Sequence, residues 1–215
     1  MVKGGHANHR PVRGLAGSRA PSVWVLCQGM STPSLPKQID AAFRTLVGAI
    51  ARSEPLPAGG AAGVVAIAMG IGLGLKVVGL SQASKPELIP VGEELRTILD
   101  RLLPEFAADC DAFAGLLAAL RLPREDAARE PSVQAAWRGA TALPVAVAMA
   151  AGAAQALLLR CAGKVKPSMA CDLVAALELV RSGRRIAVNN ARENAFRLPE
   201  AEARKLLAPL VDHVD

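Results

Sequence analysis

From Leu95 to Leu120 the apolar positions Leu95, Leu99, Leu102, Phe106, Phe113, Leu116 and Leu120 recur at spacings that fit one face of a helix packed against neighbours. The position that completes the series, between Phe106 and Phe113, is Asp109. A carboxylate on a core-facing seam is costly unless it is paired or neutralised. Two readings follow. Asp109 is a functional group with a perturbed proton affinity, or a buried Asp satisfied by an Arg or a backbone N–H.

The same periodicity predicts further helices. Ile39, Phe43, Leu46, Val47 and Ile50 mark an amphipathic helix over 38–52. Ser53 to Gly60, with Pro55, Pro57, Gly59 and Gly60, breaks it. Residues 61–80 are almost wholly apolar, and three readings compete for them. A membrane span fits the length, although Lys76 interrupts it. Gly70, Gly72 and Gly74 hint at dinucleotide binding but lack the third glycine at the required spacing. A buried helix is preferred. In it Gly70 and Gly74, one turn apart, admit a close neighbour, or a second copy of the chain.

Residues 88–120 read as one long helix, kinked at Pro90 and Pro104, and 124–131 as a charged loop. A stripe over 133–158 carries Pro144. Pro167 suits a first helical turn, opening a helix that runs to Asn194. Pro199 opens a last short helix. No strand pattern occurs, so the expected fold is all-α, an antiparallel bundle of about six helices.

Composition sharpens this. Only 3% of residues are aromatic and none is Tyr, so the core is Ala, Leu, Val and Gly, which suits closely packed helices. Residues 1–29 hold Lys3, Arg10, Arg13 and Arg19 and no acid, four of the six net positive charges. This Gly- and Pro-rich segment is expected to be a disordered extension, with Met30 a candidate start and 30–215 the helical domain. The basic balance therefore gives no case for nucleic acid. Cys27, Cys110, Cys161 and Cys171 form no C-x-x-C pair and are expected to be reduced, buried thiols of a cytoplasmic protein. His6, His9 and His213 all lie near the ends. A Ser–His–Asp triad or histidine-rich metal site in the body is excluded, leaving carboxylates, Lys or Cys for acid–base work.

Several short motifs fall in order. They are Pro55-Leu56-Pro57-Ala58-Gly59-Gly60-Ala61 before the Ala/Gly-rich helix, Asp109-Cys110-Asp111-Ala112-Phe113, and Leu120-Arg121-Leu122-Pro123-Arg124. Leu143-Pro144, Pro167-Ser168-Met169-Ala170-Cys171-Asp172 and Asn190-Ala191-Arg192-Glu193-Asn194 follow. Together they resemble P-T-P-G-G-G-S, D-A-E-A-F, Y-R-L-P-K, V-P-L, P-N-A-I-S-D and N-V-R-I-N. These belong to the formimidoyltetrahydrofolate cyclodeaminase / methenyltetrahydrofolate cyclohydrolase family, and the resemblance spans residues 38–198. The chain departs from the pattern at Ala58 and Ala61 in the loop, and at Ser168 and Cys171 in the fifth motif.

The resemblance implies a folate one-carbon enzyme. It would hydrolyse 5,10-methenyltetrahydrofolate to 10-formyltetrahydrofolate, or cyclise 5-formimidoyltetrahydrofolate with loss of ammonia. It implies Asp109 as the acid–base residue and Gly59, Gly60, Asp172, Asn190 and Asn194 as substrate-binding residues. It implies no metal and no cofactor, a small-molecule folate as partner, no membrane, and a homodimer. Arg121, Arg124, Lys76 and Lys85 are candidates for the folate's glutamate carboxylates. Gly59 and Gly60 also read as plain helix breakers, and Asp172 as a first-turn residue favoured by the helix dipole. Asp172 and Asn190 are 18 residues apart, ~27 Å along a continuous helix, so they cannot meet at one reacting atom, although a dimer or a long folate could use them at separate places. The departures keep open a catalytically silent folate-binding or helical interaction protein.

Overall fold

A computed structural model describes residues 35–213, with side chains to residue 210. The expected extension over 1–29 and the Met30 start lie outside these residues. Contacts divide the chain into two units, residues 1–40 and 41–215. Of the first unit only 35–40 are described, the opening of α1 (Leu35–Ile50). No residue of α1 is buried, and Ile39, Phe43, Val47 and Ile50 are exposed.

The second unit is helical in every described element. After α1 come α2 (Gly59–Ser81), α3 (Ile89–Leu102), α4 (Glu105–Arg121), α5 (Arg129–Arg160), α6 (Ala170–Ala195) and α7 (Glu200–Leu207). Short 3-10 turns cover Pro86–Leu88, Pro167–Met169 and Ala208–His213. The all-α expectation holds. The long helix over 88–120 does not. Pro104 has no N–H and its ring opposes the carbonyl one turn back, so α3 stops at Leu102 and α4 starts at Glu105. Pro90 is harmless, because it lies in the first turn of α3 where an N–H would have no partner. The expected loop over 124–131 is shorter than read, since α5 already begins at Arg129.

The core helix is α2, which touches α3, α4, α5 and α6. Ile67, Ile71, Val77 and Val78 are buried along it. Both α2 and α5 are long and apolar enough to cross a bilayer, but 56% and 50% of their most apolar windows are buried inside the bundle. Of the three readings of 61–80, the buried helix is the one observed.

Glycine decides how closely α2 and α6 approach. Gly63 lies against Ile186 and the Gly183 carbonyl, and Gly70 against Ala176 and Val180, so the two helices run antiparallel. A Cβ at Gly70 would lie 2.7 Å from the Ala176 carbonyl oxygen, and one at Gly183 2.7 Å from the Gly63 carbonyl oxygen. Backbone cannot yield as a side chain can. Gly74 meets Leu158 of α5. The glycine face considered for a second copy is thus covered by the chain itself. Of the thiols, Cys161 is buried, Cys110 is half-buried and Cys171 is exposed, contrary to the expectation for the last.

Gly183→Ala should therefore lower stability by about 1–3 kcal/mol through overpacking. Gly72→Ala, on the same bundle but with open space at its Cβ, should raise it by about 0.5–1 kcal/mol. Urea unfolding of the two variants checks this. Equal effects would mean that the α2–α6 contact is looser than described.

Candidate active site

The site is built on the N-terminus of α2. The first N–H groups of any helix have no partner within it. A side chain at the N-cap commonly supplies one, but the N-cap here is Ala58, which has nothing to offer. Asp109, one turn into α4, takes its place. Its carboxylate accepts the backbone N–H of Ala61 and faces the positive end of the α2 dipole. A Cβ at Gly60 would overlap that carboxylate. Gly60 is therefore the residue that lets Asp109 reach the helix end, which is more than breaking a helix. At Gly59 a Cβ would meet nothing.

Two effects oppose each other at Asp109. The Ala61 N–H favours the charged form and lowers its pKa, while burial disfavours it and raises it. Burial prevails, and the pKa lies above the ordinary 3.8. Such a carboxyl holds and releases its proton nearer neutrality than an exposed one does. The carboxylate is thus satisfied by a backbone N–H, and its proton affinity is perturbed as well. The neighbouring Cys110 thiol is also pushed up, first by burial and then by Asp109 and Asp111. That disfavours a thiolate nucleophile beside it.

Asp109 opens onto a cavity of about 180 Å³ shared with Gly59, Gly60, Phe113, Leu143, Asn190 and Asn194. Four helices thus meet there: the start of α2, the middle of α4, α5, and the end of α6. Residues Asp109, Gly59, Gly60, Asn190 and Asn194, singled out in sequence, are brought together. Asp172 is not. It lies in the first turn of α6, ~27 Å along the helix from Asn190. Its carboxylate pairs with Lys76 at 3.0 Å on a partly exposed surface. That arrangement is the first-turn role, and it also occupies Lys76. Phe113 and Leu143 were not singled out, since apolar residues at helical spacing read only as core.

Asn194 has a second duty. Pro144 lies inside α5 without an N–H, which leaves the carbonyl four residues back, on Ala140, without its helical donor. Asn194 Nδ2 donates to that Ala140 carbonyl at 2.6 Å. The amide thereby fixes the end of α6 to the break in α5.

Residues 42–211 match the family described as formiminotransferase-cyclodeaminase. The chain belongs to the formiminotransferase-cyclodeaminase family. Its fold is similar to that of formiminotetrahydrofolate cyclodeaminase from Thermotoga maritima, with a TM-score of 0.68 and 20% identity over 86% of this chain and 89% of that one. At that identity the likeness shows the fold. A search among curated proteins finds no match. In this formiminotransferase-cyclodeaminase family member the cavity at Asp109 is the place where four of the motifs converge, the loop, D-C-D-A-F, Leu143-Pro144 and N-A-R-E-N.

Asn194→Leu should cost about 1–3 kcal/mol by stranding the Ala140 carbonyl. In a Pro144→Ala background the helix supplies its own donor, and most of that cost should vanish. A double-mutant cycle by chemical denaturation reads the coupling. Additive effects would show that the two residues do not act through one carbonyl.

Proposed function

We propose that the chain is a folate one-carbon enzyme in which Asp109 shuttles the proton. The observation that carries this is a carboxyl with a raised pKa, seated on a helix N-terminus at the mouth of a cavity where four of the family motifs meet. In the hydrolytic direction, water adds to the methenyl carbon of 5,10-methenyltetrahydrofolate and Asp109 accepts its proton. The tetrahedral carbon then releases N5, which takes that proton back, while the added hydroxyl gives its remaining proton to solvent and becomes the formyl carbonyl of 10-formyltetrahydrofolate. In the cyclising direction, N10 attacks the formimidoyl carbon carried on N5 and loses its proton to Asp109. The same proton goes to the amino group, which leaves as ammonia. Both routes pass through a tetrahedral carbon between two nitrogens. Both need a group that accepts and returns one proton near neutral pH. The charged carboxylate also steadies the cationic methenyl bridge.

The cavity of about 180 Å³ is smaller than a whole folate needs. Ala112 lines both it and an apolar groove of about 580 Å³ between α4 and α5, walled by Gly115, Ala119, Ala136 and Gly139. The reacting carbon belongs at Asp109 and the aromatic ring of the substrate along that groove. A cytoplasmic setting fits the free thiols Cys110, Cys161 and Cys171. A second reading, a silent folate-binding relative, is favoured by Ala58 in place of the first loop glycine and Ala61 in place of the loop serine.

The test is turnover of each folate by the purified chain, followed by methenyltetrahydrofolate absorbance. Asp109→Asn should lower kcat about 10²- to 10⁴-fold. Asp111→Asn, exposed and ~200° round α4 from Asp109, should leave it nearly unchanged. Gly139→Leu, whose side chain would enter open space in the groove, should raise KM and spare kcat. Full activity in Asp109→Asn would place the chemistry elsewhere. No turnover of either folate by the unaltered chain would favour the silent relative.

A further inference from the structure

On α6 the residues Arg181, Arg185, Val188 and Arg192 recur every three or four positions. They form one stripe, ~16 Å long at ~1.5 Å per residue, about 180° round the helix from Asn190 and Asn194. This stripe faces a cavity of about 760 Å³ whose wall also holds Arg184, Glu178, Gln155, Leu159 and Leu210. It shares no residue with the cavity at Asp109. Among the described residues Glu178 is the single acid in the wall, and it accepts a hydrogen bond from Arg181 at 3.1 Å. Arg185 and Arg192 pair with no carboxylate among the described residues. Repulsion along such a stripe is unfavourable unless an anion offsets it.

Gln155 is the second, independent observation. It projects from α5 into the same cavity, is only 8% exposed, and its Oε1 has no hydrogen-bond partner among the described residues. A buried acceptor without a donor is uncommon in a folded chain and calls for an explanation. The volume lies in the range of small-molecule sites, and guanidinium forks suit carboxylate and phosphoryl oxygens.

We propose that this cavity is a second ligand site, for a small multivalent anion bearing phosphoryl or carboxylate groups, held by Arg185 and Arg192 and donating an O–H or N–H to Gln155. The site stands apart from the folate reading and does not depend on it. One anionic group reaches each guanidinium, and the ligand's own donor satisfies the amide oxygen. A ligand with charge but no donor would leave Gln155 as it is.

Titration calorimetry of the full chain at fixed ionic strength tests this, with tripolyphosphate, citrate, and tricarballylate, which is citrate without the hydroxyl. One site per chain is expected. Tighter binding of tripolyphosphate would mark a phosphoryl ligand, and tighter binding of citrate a carboxylate one. Arg185→Gln and Arg192→Gln should each weaken binding about 10- to 100-fold, with unchanged melting temperature because both side chains are exposed. Citrate should outbind tricarballylate in the unaltered chain, and Gln155→Leu should remove that difference. Binding that is absent below millimolar concentration, or equal in the arginine variants, would overturn the site and leave only general attraction to a basic chain.

Discussion

The Asp109 carboxylate on the open end of α2 is the contact on which the site depends. A helix N-terminus presents N–H groups and a partial positive charge, and this one has an alanine where a capping side chain would be. The cap comes instead from α4. Gly60 gives it room, and Ala61 gives it a proton to accept. Because α2 is also the core helix, the carboxylate cannot retreat without moving the bundle's centre. A group that would otherwise be driven to solvent is thus kept half-buried, and burial is what raises its pKa.

The surrounding scaffold is rigid for two separate reasons. Glycines at 63, 70 and 183 bring the backbones of α2 and α6 together, leaving no space for the helices to shift. At the other side, Pro144 opens one carbonyl in α5 and Asn194 closes it. A proline that would weaken an isolated helix here creates the attachment point for α6. Asn190, one turn before Asn194, is thereby held at the cavity opposite Asp109. The same helix carries the arginine stripe on its far side, so α6 separates two cavities of different lining.

Much of this was legible in the sequence where a residue breaks a local rule. Asp109 stood out as a carboxylate on an apolar seam, and the structure keeps it half-buried. Gly59 and Gly60 followed prolines at a helix start, and only the second proved to have a steric reason. Asp172 lies away from the cavity at Asp109, as its 18-residue distance from Asn190 required, whereas its pairing with Lys76, 96 positions away in the chain, leaves no local trace. Pro104 was read as a kink because the apolar period continues across it, whereas the missing N–H and ring clash end the helix. The glycine face of α2 signalled a close neighbour correctly but not which one. Arg181, Arg185 and Arg192 were not singled out in the sequence, because the α5 residues and Leu210 that share their cavity are distant in the chain.

The account requires that burial outweigh the Ala61 N–H at Asp109. Carboxyl carbon-13 resonance, followed through pH in the unaltered chain, measures that balance at the one atom concerned. The midpoint assigned to Asp109 should lie above 3.8, and the resonance should be missing from Asp109→Asn. A midpoint at or below 3.8 would show the helix end and its N–H holding the charged form, and Asp109 would be a cap with no proton to shuttle.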